Sequence, residues 1–356
     1  MSSTWGEKVK ISIFGESHGK AIGVVLDGLP AGEEIDLDAV SLQMSRRAPG
    51  RDLSSTPRKE SDLPQIVSGI LNGRTTGAPL CGLIENTNTK SGDYDNLKSV
   101  PRPGHSDYTA FLHYKGFNDV RGGGHFSGRL TAPLVFAGAI CRQILQRRGI
   151  LIGAHVSAIG GVKDTAFDPI EISEQLLLNL SSGYFSVINP EIETEMRDKI
   201  ELARMEQNSV GGIVECAAIG IPAGFGNPMF GGIEPVLSSL LFGIPACKGV
   251  EFGSGFGVSD LLGSEDNDPY YYDGETVKAK TNHAGGILGG ISTGMPIVFR
   301  AAFKPTSSIG LEQDSVNLST NTNEKLSVHG RHDPCIVPRA VPVVEAAAAI
   351  ALINIL

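Results

Sequence analysis

The sequence predicts an α+β fold in one large domain spanning residues 1–356. Strand-like and helix-like segments do not alternate regularly along the chain, as they would in a parallel α/β sheet. Two segments are apolar on nearly every face, which predicts buried helices. We find no repeat, low-complexity tract or Pro- or Ser-rich linker. The alternative is a domain boundary somewhere between residues 150 and 210.

The first elements are two strands and two helices. Residues 7–14 alternate polar and apolar side chains and residues 21–26 are rich in β-formers, so both predict strands. Residues 36–47 have an acidic N-cap and a basic last turn before Ala-Pro-Gly, which predicts an amphipathic helix. Residues 130–148 are apolar almost all round and predict a central buried helix.

The second half of the chain contains further predicted helices and strands. Residues 191–207 predict a mixed-charge, solvent-facing helix, and 340–355 predict a second buried helix. Three further strands are predicted at 212–220, 247–252 and 296–303. Glycine makes up 45 of the 356 residues, and four long loops are predicted at 48–62, 86–128, 253–286 and 304–334. Loops of that length in a compact domain usually carry function.

Composition excludes several classes of protein. Acidic residues outnumber basic ones, 39 to 30, which argues against a general nucleic-acid binder. The last apolar run contains Pro342 and Glu345 and is too short to span a bilayer. Five cysteines without a C-x-x-C pair indicate neither a disulfide framework nor a metal site, and no signal-peptide core is visible. We therefore expect a cytoplasmic protein that binds no membrane, nucleic acid or metal.

Motifs of common enzyme classes are missing. GESHGKA at 15–21 is one residue short of a Walker loop and lacks its hydroxyl, and the glycines at 253–257 miss the dinucleotide-binding spacing. Neither H-E-x-x-H nor G-x-S-x-G occurs. Nucleotide kinases, standard NAD enzymes, zinc proteases and α/β-hydrolases are disfavoured.

The loops are rich in arginine, whose planar guanidinium binds phosphate and carboxylate in a bidentate manner. Any one of these residues could instead be a solvated charge or a salt bridge. Together they predict a site for an anionic small molecule. They are Arg46, Arg47, Arg51, Arg102, Arg121, Arg129 and Arg331.

Histidines supply the second signal. His18 and His105 lie in polar glycine turns, where an imidazole can exchange protons near neutral pH, although a turn histidine can also simply bind backbone. His332 has the same context, and His125 and His283 are weaker candidates. Near them, Asp333 follows Arg331, Ser17 and Ser127 offer hydroxyls, and Lys304–Ser308 could cradle a phosphate. These residues predict an enzyme acting on a phosphorylated, acidic small molecule.

Three long segments carry a family resemblance. GESHGKAIGVVLDGLP (15–30), GGGHFSGRLTAPLVFAGAI (122–140) and RHDPCIVPRAVPVVEA (331–346) resemble the signatures of chorismate synthase. RRAPG, RPGHSDY, NHAGGILGG and KPTSS occur in the order that this family uses, and the resemblance runs from about residue 5 to the C-terminus.

The resemblance implies a phosphate lyase of the shikimate pathway, which makes aromatic amino acids. This family converts 5-enolpyruvylshikimate 3-phosphate to chorismate and phosphate by trans-1,4-elimination, and it requires reduced FMN. The implied fold is a β-α-β sandwich, with buried helices between two antiparallel sheets, assembled as a homotetramer. Two carboxylates and a phosphate on the substrate would account for the arginines.

The resemblance also implies roles for individual residues. His18 would protonate the departing phosphate, and His105 would stabilise the reduced flavin at its N1/C2-carbonyl side. Asp333, assisted by Ser17 and Ser127, would tune proton transfer at flavin N5. Substrate anions would be held by Arg46, Arg47, Arg102, Arg129 and Arg331. The flavin would contact His125, Phe126, Ser127, Ala246, Gly289, Lys304, Pro305, Thr306, Ser307, Ser308 and Arg331.

This chain departs from the family pattern at two flavin-contacting places. His125-Phe126-Ser127 replaces a frequent Arg-Ser-Ser, and Pro245-Ala246 replaces Asn-Ala. Since no reductase domain is visible, we expect the flavin to arrive reduced rather than to be reduced here by NADPH. Two other hypotheses are a non-catalytic flavin- or anion-binding homologue and a nucleotide-dependent phosphotransferase.

Overall fold

The structure is a computed structural model that describes residues 3–50, 60, 62–87, 97–328 and 333–356. The α-helices in these ranges are α1 (Leu37–Arg47), α2 (Asp107–His113), α3 (Thr131–Arg147), α4 (Glu174–Leu180), α5 (Pro190–Met205), α6 (Ile233–Leu241), α7 (Gly263–Asp266) and α8 (Val337–Ile355). The strands are β1 (Thr4–Trp5), β2 (Lys10–Gly15), β3 (Ala21–Asp27), β4 (Gln65–Ser68), β5 (Ile70–Leu71), β6 (Arg74–Thr75), β7 (Leu80–Glu85), β8 (Leu151–Ile159), β9 (Val162–Lys163), β10 (Gly212–Ile219), β11 (Cys247–Phe252), β12 (Tyr270–Asp273), β13 (Thr276–Ala279), β14 (Ile287–Leu288), β15 (Ile291–Ser292), β16 (Ile297–Phe303), β17 (Gln313–Asn317) and β18 (Thr322–Leu326).

Two five-stranded antiparallel sheets form the framework. The first has the order β1-β2-β3-β7-β4. Its β3 buries Ile22, Val24 and Leu26, which share one face because side chains alternate along a strand. The second sheet has the order β11-β16-β10-β8-β9, and the buried residues of β10 run almost without interruption. Such a run is expected for a strand covered on both faces.

The two apolar helices connect these sheets. Helix α3 contacts β2, β3 and β7 of the first sheet, α8 contacts β8 and β10 of the second, and the two helices pack on each other. Gly138 of α3 permits the closest approach, since a Cβ there would overlap Ala346 of α8. Helix α8 is long and apolar enough to cross a membrane, but 83% of that stretch is buried, as in the core helix of a soluble protein. Helices packed with antiparallel sheets confirm the predicted α+β class.

Buried charges in the helical layer are paired. Glu345 of α8 accepts from Arg46 at 2.5 Å and from Arg142 at 3.2 Å, and all three are largely screened from solvent. A buried carboxylate without such partners would carry a large desolvation cost.

The predicted loops contain more structure than expected. Helix α2 lies within the predicted loop 86–128, and the hairpins β12–β13 and β17–β18 lie within the predicted loops 253–286 and 304–334. Strand β8 and helix α6 were not predicted. The exposed, polar hairpins show little apolar alternation, and β8 is apolar on both faces, so neither has the period-2 pattern of a half-buried strand.

Candidate active site

A cavity of about 940 Å³ opens where loops from both halves of the chain meet. Most of the predicted site residues line it, although they come from seven separate parts of the sequence. They are Ser17, His18, Arg47, Arg102, His105, His125, Phe126, Ser127, Arg129, Ala246, Lys304, Thr306, Ser307, Ser308 and Asp333. The volume is at the upper end of the range of roughly 300–1,000 Å³ typical of small-molecule sites.

A glycine turn brings His18 and His105 together. Gly122, Gly123 and Gly124 have φ values of 58°, 84° and 54°, which residues with a Cβ rarely adopt. A Cβ on Gly122 would overlap the His18 ring, and a Cβ on Gly123 would lie 3.1 Å from His105 Nε2. The bare backbone of this turn therefore separates the two imidazoles at one wall of the cavity.

Arg47 and Arg129 share one carboxylate. Arg47 Nη1 donates to Asp62 Oδ2 at 2.7 Å, and Arg129 Nη1 donates to Asp62 Oδ1. Burial lowers the pKa of Arg47 to about 9, helped by the nearby cations Arg339 and Arg129. Burial also opposes ionisation of Asp62, but the two arginines outweigh it and hold the pKa of Asp62 below its usual value. At neutral pH this group carries a net positive charge.

Arg102, His105 and Asp107 form a second charged network. Asp107 accepts Arg102 Nε at 2.7 Å and Nη2 at 2.8 Å, and His105 Nδ1 lies 2.6 Å from Oδ1. Burial opposes ionisation here too, yet the hydrogen bonds from Arg102 and His105 hold the pKa of Asp107 well below its usual range. The carboxylate is therefore ionised at neutral pH.

The 304–308 segment forms a small polar cradle beside this network. Lys304 Nζ donates to Ser307 Oγ at 2.8 Å, Ser307 Oγ donates to Gly104 O at 2.8 Å, and Arg102 Nη1 donates to Ser308 Oγ at 2.9 Å. Burial and the neighbouring Lys248 lower the pKa of Lys304. An anion bound here would relieve that repulsion.

Asp333 also lines the cavity, next to the 304–308 segment, and is bound to Arg339. Both carboxylate oxygens accept from Arg339 Nη1 at 2.8 Å, and Arg339 Nε donates to Arg47 O at 3.0 Å. Burial opposes the charge on Arg339, but Asp333 outweighs it and raises the pKa of Arg339. Arg339 therefore connects Asp333 to the group around Arg47.

The two places where the chain departs from the family pattern both line the cavity. His125 Nδ1 lies 2.7 Å from Gly15 O and Nε2 lies 2.7 Å from Ser3 Oγ, so its ring is tied to the first sheet. Ala246 has φ 71°, a left-handed conformation that costs a non-glycine residue roughly 1–2 kcal/mol. Its carbonyl accepts the backbone N–H of Lys304 at 3.0 Å, which holds the cradle in place.

Three predicted site residues that the structure describes lie off the cavity wall. Arg46 points into the core, where Glu345 and backbone carbonyls bind its guanidinium, so its substrate-binding assignment is corrected to a structural role. Pro305 and Gly289 lie outside the lining, Gly289 in the β14–β15 turn. Arg331, like His332, falls outside the described residues, as does Arg51. Of the other loop arginines, Arg121 pairs with Asp119.

Three charged residues that bind predicted site residues were missed from the sequence: Asp62, Asp107 and Arg339. Each is a charged partner of a predicted site residue rather than part of a recognised pattern. A signal existed for Arg339, because it is a cation at the start of a strongly apolar helix. Asp107 stands two residues after His105, but spacing alone does not show that a turn folds it back.

The electrostatic character of the cavity is strongly positive. Among the described residues, its lining includes six basic side chains, namely Arg47, Arg102, Arg129, Lys248, Lys304 and Arg339, and one carboxylate, that of Asp333. Asp62 and Asp107 do not line the cavity, but their buried carboxylates bind Arg47 and Arg102 and offset part of this charge. In a protein of net charge −9, this local excess favours an anionic ligand carrying several charges.

Known proteins are similar to this chain in sequence and in fold. The chorismate synthase family model matches residues 9–356. The chain is 46% identical over 355 residues to the chorismate synthase of Dehalococcoides mccartyi, covering 100% of this chain and 96% of the relative. Identity to the Lancefieldella parvula chorismate synthase is 48% over 367 residues, with 100% and 96% covered. A crystal structure of chorismate synthase matches with a TM-score of 0.76 at 26% identity, covering 99% of this chain and 92% of that one. The chain therefore belongs to the chorismate synthase family.

Proposed function

We propose that this cavity converts 5-enolpyruvylshikimate 3-phosphate to chorismate and phosphate by trans-1,4-elimination, as a lyase of the shikimate pathway. The observation that carries the proposal is the placing of His18 and His105 on either side of the Gly122–Gly123 backbone, in a cavity lined by six basic side chains. Elimination removes a ring proton and a phosphate, and the site offers imidazoles to exchange protons and cations to hold the anion.

Substrate anions would be held by Arg47, Arg102 and Arg129. Each guanidinium is held in place by a buried carboxylate, so little side-chain entropy is lost on binding. The two carboxylates and the phosphate of the substrate are opposite in sign to the net positive charge of these groups. His18 is 8% exposed and lies beside this region, where its imidazolium would protonate the departing phosphate.

The residues present fit reduced FMN as the cofactor. Ser17 Oγ is buried and lines the cavity, yet it makes no hydrogen bond to any part of the chain that the structure describes. The FMN phosphate would be held by Lys304, Thr306, Ser307 and Ser308, and the ring system would face His105, His125–Ser127 and Ala246. When bound, reduced FMN supplies a transient electron that helps the unactivated C–O bond to break. Asp333 and Ser127 would then tune proton transfer beside the ring.

Membership of the family also suggests the fold architecture, the number of domains and the oligomeric state. The contacts of α3 and α8 with each other and with opposite sheets support a β-α-β sandwich, and a core cluster that includes residues of both sheets supports one domain over residues 1–356. We include in the proposal a cytoplasmic homotetramer that receives its flavin already reduced. Large exposed apolar side chains around Phe230, Phe256 and Tyr272 are consistent with further subunit contacts.

The test is an oxygen-free reaction of the purified protein with 5-enolpyruvylshikimate 3-phosphate and chemically reduced FMN. Chorismate and phosphate should form in equal amounts. Binding of flavin without either product would instead support the non-catalytic homologue. Turnover with NADPH and oxidised FMN in place of reduced FMN would contradict the expectation that flavin arrives reduced.

A further inference from the structure

We propose that Asp107 is a positioning residue for the elimination, whose carboxylate fixes the tautomer and orientation of the His105 imidazole. This inference rests on the proposed function of the cavity. Asp107 does not line the cavity, so it would act only through the residues that it binds.

Both oxygens of Asp107 are committed to hydrogen bonds. Oδ2 accepts the backbone N–H of Arg102 at 3.0 Å and Arg102 Nε at 2.7 Å. Oδ1 accepts Arg102 Nη2 at 2.8 Å and lies 2.6 Å from His105 Nδ1. This last contact is an ion-pair distance, and because an ionised carboxylate can only accept a hydrogen bond, we infer that Nδ1 carries the proton. Asp107 is 6% exposed, so water competes little for these bonds.

The opposite edge of the imidazole lies beside the glycine turn, and His105 itself lines the cavity. His105 Nε2 lies 3.1 Å from the point where a Cβ on Gly123 would stand, beside the turn that separates it from His18. With Nδ1–H committed to Asp107, the neutral ring presents the Nε2 lone pair and the imidazolium presents Nε2–H. Every proton that His105 exchanges with a bound molecule therefore passes through Nε2.

The same carboxylate aligns His105 with the 304–308 cradle. Arg102 extends from Asp107 to Ser308 Oγ, 2.9 Å from Nη1. Its Nη2 also lies 3.2 Å from His105 Nδ1, but a guanidinium has no lone pair to accept the Nδ1 proton. Asp107 therefore contacts both side chains and fixes the position of Arg102 relative to His105.

The tautomer can be measured without substrate or flavin, by NMR of protein labelled with ¹⁵N at its histidine rings. His105 signals are assigned with His105→Gln. Neutral His105 should be protonated at Nδ1 in the wild type. In Asp107→Asn the amide can donate to Nδ1, so the Nε2–H form should appear. A wild-type ring protonated at Nε2 would overturn the proposal, whether or not the variant folds.

Asp164→Asn is the matched control. Asp164 Oδ2 lies 2.9 Å from His155 Nδ1 in a buried carboxylate–imidazole pair outside the cavity lining. This control should leave the His105 signals unchanged. If Asp107→Asn leaves them unchanged as well, Asp107 does not set the tautomer and the inference fails.

Kinetics test whether the effect reaches the reaction. In the oxygen-free assay, Asp107→Asn should lower kcat about 10- to 100-fold. The loss should shrink to within about twofold when His105 is already alanine, because coupled residues are not additive. An equal loss with and without the imidazole would show that Asp107 acts through another group. An inactive wild type would refute the proposed function, while the NMR measurement would still test Asp107.

Discussion

Three consecutive glycines define the site at the scale of single residues. Their left-handed backbone allows residues 122–124 to pass between two imidazoles that are 87 positions apart in sequence. The sequence placed His18 and His105 in separate glycine turns. It could not show that these turns meet, because their contact depends on how β2, β3 and the 102–127 region pack.

Gly122→Ala should lower kcat about 100-fold, since a misplacement of roughly 1 Å in a catalytic group can have that effect. The added methyl group would overlap the His18 ring. The measurement is the oxygen-free rate at saturating substrate, together with the thermal midpoint of unfolding.

Gly149→Ala is the control for backbone strain. Gly149 has φ 80° but nothing within 4 Å of its Cβ position. The Gly149→Ala variant should lose at most roughly 1–2 kcal/mol of stability and should keep the wild-type kcat. Equal kcat losses in the two variants would mean that contact with His18 is irrelevant.

Packing between α3 and α8 governs the next scale, that of whole elements. Their hydrophobic patterns predicted both helices, with ends within about three residues of those observed. Their mutual contact could not be predicted, because nothing in an all-round apolar helix indicates which face meets which neighbour. Gly138 and Ala346 provide that information through their small size.

Gly138→Ala should destabilise the protein by about 1–3 kcal/mol, as expected for overpacking a tight core contact. In a helix without that contact, the same change would stabilise by up to about 1 kcal/mol. Urea unfolding measures the difference. Gly263→Ala in α7, where the Cβ position is open, is the control and should be neutral or stabilising. A stabilised Gly138→Ala variant would contradict the described packing.

A buried ion cluster couples the second sheet to the segment around residue 164. His155 is fully buried, with Asp164 at 2.9 Å and Glu215 at 3.0 Å. Burial alone would lower the pKa of His155, but the two carboxylates outweigh it and raise that pKa. The stabilisation that comes from a raised histidine pKa is complete when the pH is below about 6.5, the pKa of histidine in the unfolded chain. It is lost as the pH rises through the pKa of histidine in the folded protein.

The wild type should therefore be more stable than His155→Gln by the greatest margin near pH 6, and the margin should narrow towards alkaline pH. Urea unfolding of both proteins between pH 6 and pH 9 measures this. A margin that widens with rising pH would show that His155 is buried in its neutral form.

At the scale of the whole molecule, the cavity concentrates positive charge within an acidic protein. The arginine-rich loops predicted an anion site, and six basic side chains line the cavity. The neutralising carboxylates could not be predicted, because Asp62 reaches Arg47 and Arg129 only through tertiary folding. Arg46 was misassigned for the same reason, since the sequence does not show that its neighbour Arg47 points to the cavity while it points to Glu345.

The most direct test of the central claim is the rate of chorismate formation by His18→Ala and His105→Ala, measured without oxygen with reduced FMN. Each variant should be slower than the wild type by about 10²- to 10⁴-fold, the usual contribution of a positioned acid or base. Flavin binding, followed separately, should persist in His18→Ala. Wild-type rates in both variants would contradict the account, because the two imidazoles would then share a cavity without taking part in its chemistry.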